Sequence, residues 1–63
     1  MTDRFLQFFA YTHLPPSLQE ISRPFHDMAS DIVMKIPENP ERSAGLRKLL
    51  EAKDCIVRAS IYK

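Results

Sequence analysis

The chain holds one glycine, one cysteine and no tryptophan, and its formal net charge is only +1. Each scarcity excludes something. A single cysteine, Cys55, cannot close an internal disulfide, and with two histidines beside it there is no Cys/His spacing of a zinc site. A single glycine, Gly45, leaves no glycine-rich loop to cradle a phosphate. Near-neutral charge argues against a general nucleic-acid binder, which carries a basic face. No apolar run approaches the ~20 residues of a membrane helix, so no membrane partner is expected. The start lacks the basic and continuous apolar regions of a signal peptide. A lone thiol suits a reducing compartment, so the expected location is cytoplasmic.

What is present is a folding composition. Apolar residues make up 44% and charged residues 27%, which is too apolar for a disordered chain. At 63 residues the chain forms one domain at most and buries too small a fraction of its surface to be comfortably stable alone. The balance of apolar burial against ordering entropy comes out near zero at this size. With neither disulfide nor metal to help, association with further copies is the remaining route, and a homo-oligomer is expected.

Three segments follow along the chain. Residues 1–16 form an aromatic and proline-rich arm: Phe5, Leu6, Phe8 and Phe9 cluster, with Thr2 or Asp3 available as an N-cap. This arm suits either a short helix or an extended stretch. Pro15 and Pro16 then hold Leu14 and Pro15 extended, and Pro16 is placed to open a helix. Residues 17–36 carry an apolar stripe of helical period in Leu18, Ile21, Phe25, Met28, Ala29, Ile32, Val33 and Ile36. Pro24 interrupts it, which predicts a kink or break near residues 20–23.

Pro37 ends that helix, and Asn39-Pro40-Glu41 opens a second over 39–60 with an N-cap, a first-position proline and an acid at the positive end. Leu46, Leu49, Leu50, Ile56 and the stem of Lys53 are its expected core face. Arg47, Glu51, Asp54 and Arg58 fall at helical spacing and read as a solvated stripe of ion pairs, worth ~0.2–0.5 kcal/mol each. A connection of about four residues brings the helices side by side. The expected fold is all-α: an antiparallel helical hairpin with a short N-terminal arm.

Catalytic machinery is hard to assemble from these residues. Cys55 falls mid-helix, away from any activating helix start, and is expected to be a buried structural thiol. His13 and His26 have no acid at metal-binding spacing, so no metal or other cofactor is expected and the chain reads as non-enzymatic. Gly45 weakens a helix by up to ~1 kcal/mol relative to alanine, which implies close approach of a backbone or ligand there. A binding constellation does remain. Tyr11 and His13 are flat polar rings able to stack on a base, and Arg23, His26, Arg42, Arg47 and Lys48 offer contacts to phosphate. Arg42 also lies in the first turn of the second helix, where N–H groups favour an anion. Tyr11 equally suits a packing role with its hydroxyl at the surface. A protein-only adaptor fits the same residues.

The order Phe9-Ala10-Tyr11-Thr12-His13-Leu14-Pro15, then Gln19 and Ile21, then Pro40-Glu41-Arg42-Ser43 with Leu46, Lys48, Leu49, Glu51 and Ala52, resembles the hairpin domain of phage anti-CBASS and Thoeris anti-defence sponges. The resemblance spans roughly residues 9–59, and the Glu-Arg-Ser helix start is its more specific part. It implies a hexamer that holds a cyclic dinucleotide, a cyclic trinucleotide or a cyclic ADP-ribose-type messenger without cleaving it, in the host cytoplasm. It further implies that Tyr11 stacks on a base between two protomers. The family's basic phosphate contact falls near His26, with Arg23 as the alternative. Arg42 and Ser43 would line a second pocket. The chain departs from the family pattern at Thr12, which is inserted after the tyrosine, and at Pro24, which enters a helix that is normally uninterrupted.

Overall fold

The computed structural model describes residues 4–62. The proposed caps Thr2 and Asp3 lie outside them. Three elements follow in order: a 3₁₀ arm, Arg4–Phe9; helix α1, Pro16–Lys35; and helix α2, Pro40–Ser60. The described residues contain helix and turn and no strand, so the chain is all-helical.

Prolines and one asparagine set the boundaries. Pro15 takes φ −58° and ψ 152°, and Pro16 opens α1 where its missing N–H costs no intrahelical bond. At the far end Ile36 turns extended, as expected for a residue before proline, and its N–H still donates to the Ile32 carbonyl at 2.9 Å. The connection is Ile36 to Asn39. There the Asn39 side chain does two jobs: its Oδ1 accepts from the Arg42 N–H at 2.8 Å, and its amide donates to the Pro37 carbonyl at 3.1 Å. Glu41 sits in the first turn of α2, complementing the helix dipole.

The two helices, of 20 and 21 residues, would each reach about 30 Å at 1.5 Å per residue. The longest extent of the molecule is 38 Å, so they lie side by side. Lys53, in the C-terminal half of α2, donates from Nζ to the Phe8 carbonyl at 2.7 Å, just ahead of α1. The hairpin is therefore antiparallel.

Each segment gives the centre one fully enclosed apolar side chain: Phe9 from the arm, Ala29 from α1 and Leu46 from α2. Phe5, Leu6, Phe25, Ile32, Val33, Leu49 and Leu50 pack around them. With three residues per turn, Leu6 and Phe9 share a face of the arm while Phe8 turns outward. The radius of gyration, 12.0 Å, exceeds the roughly 10.6 Å of a compact domain of this length.

Several expectations need correcting. α1 continues through Pro24 without a break. Pro24 is exposed, while Ile21, Phe25 and Ala29 turn inward and hold the helix across the N–H that the Glu20 carbonyl lacks. Cys55 is exposed rather than buried, because it falls on the outer face of α2, where the Arg58 guanidinium donates to its Sγ at 3.5 Å. Ile56 is 49% exposed, since the arm and α1 cover the neighbouring face that carries Lys53 and Val57. The expected charge stripe is not a row of i,i+4 pairs: Asp54 turns to Lys53 at 3.3 Å, and Arg47 and Glu51 have no ion pair among the described residues.

Candidate functional site

The eight candidate binding residues separate into groups. Tyr11 comes together with Arg23 and His26 beside the middle of α1. The Tyr11 and His26 rings meet edge to face, 5.1 Å between centroids at 65°. An edge-to-face arrangement is the one that aromatic ring electrostatics favours. His26 is one half of a short cluster: its Nδ1 is 3.3 Å from Asp27 Oδ1, while Arg23 Nε is 3.7 Å from Asp27 Oδ2. A concavity of about 220 Å³ lies beside them, lined by Tyr11, Pro16, Gln19, Glu20 and Arg23.

Gln19 holds this corner in shape. Its side-chain amide donates to the Leu14 carbonyl at 2.7 Å and to the Thr12 carbonyl at 3.3 Å. The Leu14 N–H in turn bonds the Tyr11 carbonyl at 3.0 Å, closing a turn over 11–14. The carbonyls of a short loop are thus satisfied by one residue of the helix that follows, and Tyr11 is fixed against α1. Sequence reasoning noticed Gln19 as part of a pattern without giving it this work. It overlooked Asp27 altogether, although an acid four residues after Arg23 on a helix was a readable signal.

His13 lies apart from Tyr11. It faces a second concavity of about 410 Å³ between the arm and α2, with Ser22, Lys53, Asp54 and Arg58. The Lys53 side chain is 13% exposed, and its ammonium also stands 5.9 Å from the centre of the Phe9 ring. Ser22 is fully buried, and its hydroxyl has no hydrogen-bond partner among the described residues.

Arg42 and Lys48 belong to a third place, the groove between the end of α1 and the start of α2. Arg42 Nη1 donates to the Ile36 carbonyl at 2.7 Å, so its guanidinium ties the interhelix connection to α2. The groove, about 580 Å³, is chiefly apolar, with Met28, Ile32, Ile36, Leu46 and Leu49 among its walls. Ser43 is half-buried in the first turn, its N–H bonded to the Asn39 carbonyl at 3.1 Å. Arg47 is exposed. Apart from its own stretch of helix, a carbon added at Gly45 would meet nothing within 4 Å among the described residues, so no other element comes close to this glycine.

No group of three or more His, Cys, Asp or Glu side chains able to hold a metal occurs among the described residues. No described helix is long and apolar enough to cross a membrane. Comparison with protein-family models, curated proteins and solved structures gave no match.

Proposed function

We propose that this chain binds a cyclic nucleotide or cyclic ADP-ribose-type messenger without cleaving it, and so withholds it from a host defence effector, as the phage sponges it resembles do. The observation that carries this reading is the corner where Tyr11 and His26 meet edge to face with Arg23 alongside, locked by Gln19. A stacking ring next to an arginine is the pairing that a base with its phosphate requires. Asp27 lies 3.3 Å from His26 and 3.7 Å from Arg23, and a phosphate would compete with it for the arginine.

The concavity at this corner, about 220 Å³, is smaller than the ~300–1,000 Å³ of a typical ligand pocket. One chain therefore supplies part of a site, and a second copy supplies the rest. Sequestration then follows from mass action, since bound messenger is removed from the free pool in proportion to protein and affinity. The second reading is a protein-only adaptor, favoured by the apolar groove around Met28 and Ile36.

The test is a thermal-shift screen against cyclic dinucleotides, cyclic trinucleotides and cyclic ADP-ribose isomers, with recovery of the bound compound by chromatography. Stabilisation by one class with intact recovery is expected. Tyr11→Ala should lower its affinity about tenfold, in line with ~1–3 kcal/mol for a stacked base, while leaving helicity unchanged. Stabilisation by none of them would hand the protein to the adaptor reading, and unchanged affinity in the Tyr11 variant would remove that ring from the site.

A further inference from the structure

We propose that the concavity between the arm and α2 binds a small phosphomonoester, independently of the corner that holds Tyr11. The two places share no wall residue, so the proposal takes nothing from the messenger reading.

The site is made by tertiary packing. Phe8 comes from the arm, His13 from the turn that follows it, Ser22 from α1, and Lys53, Asp54 and Arg58 from α2. At about 410 Å³ the concavity falls within the ~300–1,000 Å³ of a ligand pocket, a size that the Tyr11 corner does not reach.

Its polar groups are donors in search of an acceptor. An acid and an arginine four residues apart on a helix ordinarily pair. Here Asp54 turns instead to the Lys53 ammonium at 3.3 Å. The Arg58 guanidinium meets the Cys55 sulfur, a weak acceptor, and has no ion pair among the described residues. The His13 ring likewise has no hydrogen bond or ion pair among them.

Ser22 is an independent sign. A buried hydroxyl nearly always has a partner, and within a helix serine commonly finds one in the carbonyl four residues back. The Ser22 hydroxyl is fully buried, borders this concavity and bonds no described residue. A donor is thus left over beneath a cleft that already carries an ammonium, a guanidinium and an imidazole.

Charge and shape choose the ligand. Lys53 and Arg58 outnumber Asp54 in the wall, so the site favours an anion, which would compete with Asp54 for the lysine. A phosphate ester offers three strong acceptor oxygens and a carboxylate two, and the donors here come from the turn, α1 and α2. Phe8, 52% exposed, forms an apolar wall with Leu14 and Val57 against which the body of the ester would rest.

Amide shift mapping of the full chain by nitrogen-15 NMR tests this, with phenyl phosphate titrated from about 10 µM to about 10 mM to span the affinities open to so small a ligand. Shifts should gather at residues 7–8, 13–14 and 53–58. Inorganic phosphate and benzoate should move the same amides with weaker affinity, and benzyl alcohol should move none. Arg58→Gln should weaken phenyl phosphate about tenfold, as loss of a charged hydrogen bond implies, and Ser22→Ala about threefold, as loss of a neutral one does. Asp54→Asn should tighten it about threefold by removing the competing acid, a gain that a damaged fold would not give. Lys53 stays unchanged in these variants, because it ties down the arm. No shift at any concentration, shifts gathered at residues 19–27 instead, or benzyl alcohol binding like phenyl phosphate overturns the proposal. Benzoate binding as tightly overturns the choice of phosphate, and unchanged affinity in Ser22→Ala removes that hydroxyl from the site. Phenyl phosphate binding without stabilisation by any messenger would leave this site standing and the sponge reading refuted; messenger stabilisation without phenyl phosphate binding would do the reverse.

Discussion

Leu46 and Ile56 look alike in the sequence, two branched aliphatics on the expected core face of α2, and they should respond very differently to truncation. Leu46 is 1% exposed and meets Phe9 and Ala29 at the centre of the molecule. Replacing it with alanine removes the transfer energy of its side chain and leaves a cavity, which together cost ~2–5 kcal/mol. The total stability expected for a chain of this length is roughly 3–9 kcal/mol, so Leu46→Ala should unfold a measurable fraction of the protein at room temperature. Ile56 is half exposed, and solvent fills the space its truncation leaves. Ile56→Ala should therefore cost about 1 kcal/mol or less, the transfer term for a partly covered side chain. With a urea slope near ~1 kcal/mol per molar for so small a chain, the midpoints should fall by roughly 2 M or more and by at most roughly 1 M, respectively. Circular dichroism in urea at one fixed protein concentration is the assay, because self-association makes the midpoint depend on concentration. Equal shifts, or a larger one at Ile56, would refute the placement of the core.

Three further outcomes follow from the same contacts. Lys53→Met keeps the buried stem but loses the bond to the Phe8 carbonyl, so the arm should detach at a cost of about 1–2 kcal/mol; amide exchange at residues 5–9 no faster than in wild type would contradict it. Pro24→Ala should raise the melting temperature, since it restores an N–H for the Glu20 carbonyl at an exposed position and removes a residue costing up to ~3 kcal/mol in a helix; a lower melting temperature would mean that the proline is needed. Ser22→Ala removes a buried hydroxyl that bonds nothing, so stability should hold or rise by about 1 kcal/mol; a clear loss would show that the hydroxyl has a partner in solution.

Local chemistry determined much of this protein by itself. Prolines at 15, 16, 37 and 40 and the Asn39 cap act through neighbouring backbone geometry, so the helix limits and the four-residue connection could be read residue by residue. The apolar period of 17–36 likewise announced one buried face. Tertiary packing decided what periodicity could not. Whether Pro24 breaks α1 depends on whether packing on both sides of it holds the helix together, and Ile21, Phe25, Ala29 and Ile32 supply that packing. Whether Cys55 and Ile56 are buried depends on how far the arm and α1 extend over α2, which is a matter of shape rather than spacing. The candidate site divides in the same way. Aromatic and basic residue types named the members, but only folding brought Tyr11, His26 and Arg23 to one corner, sent His13 to the far side of its turn, and committed Arg42 to the Ile36 carbonyl. Tyr11 meets Arg23 and His26, twelve and fifteen residues on, according to how a short loop is tied, and here Gln19, reaching back to the Thr12 and Leu14 carbonyls, ties it.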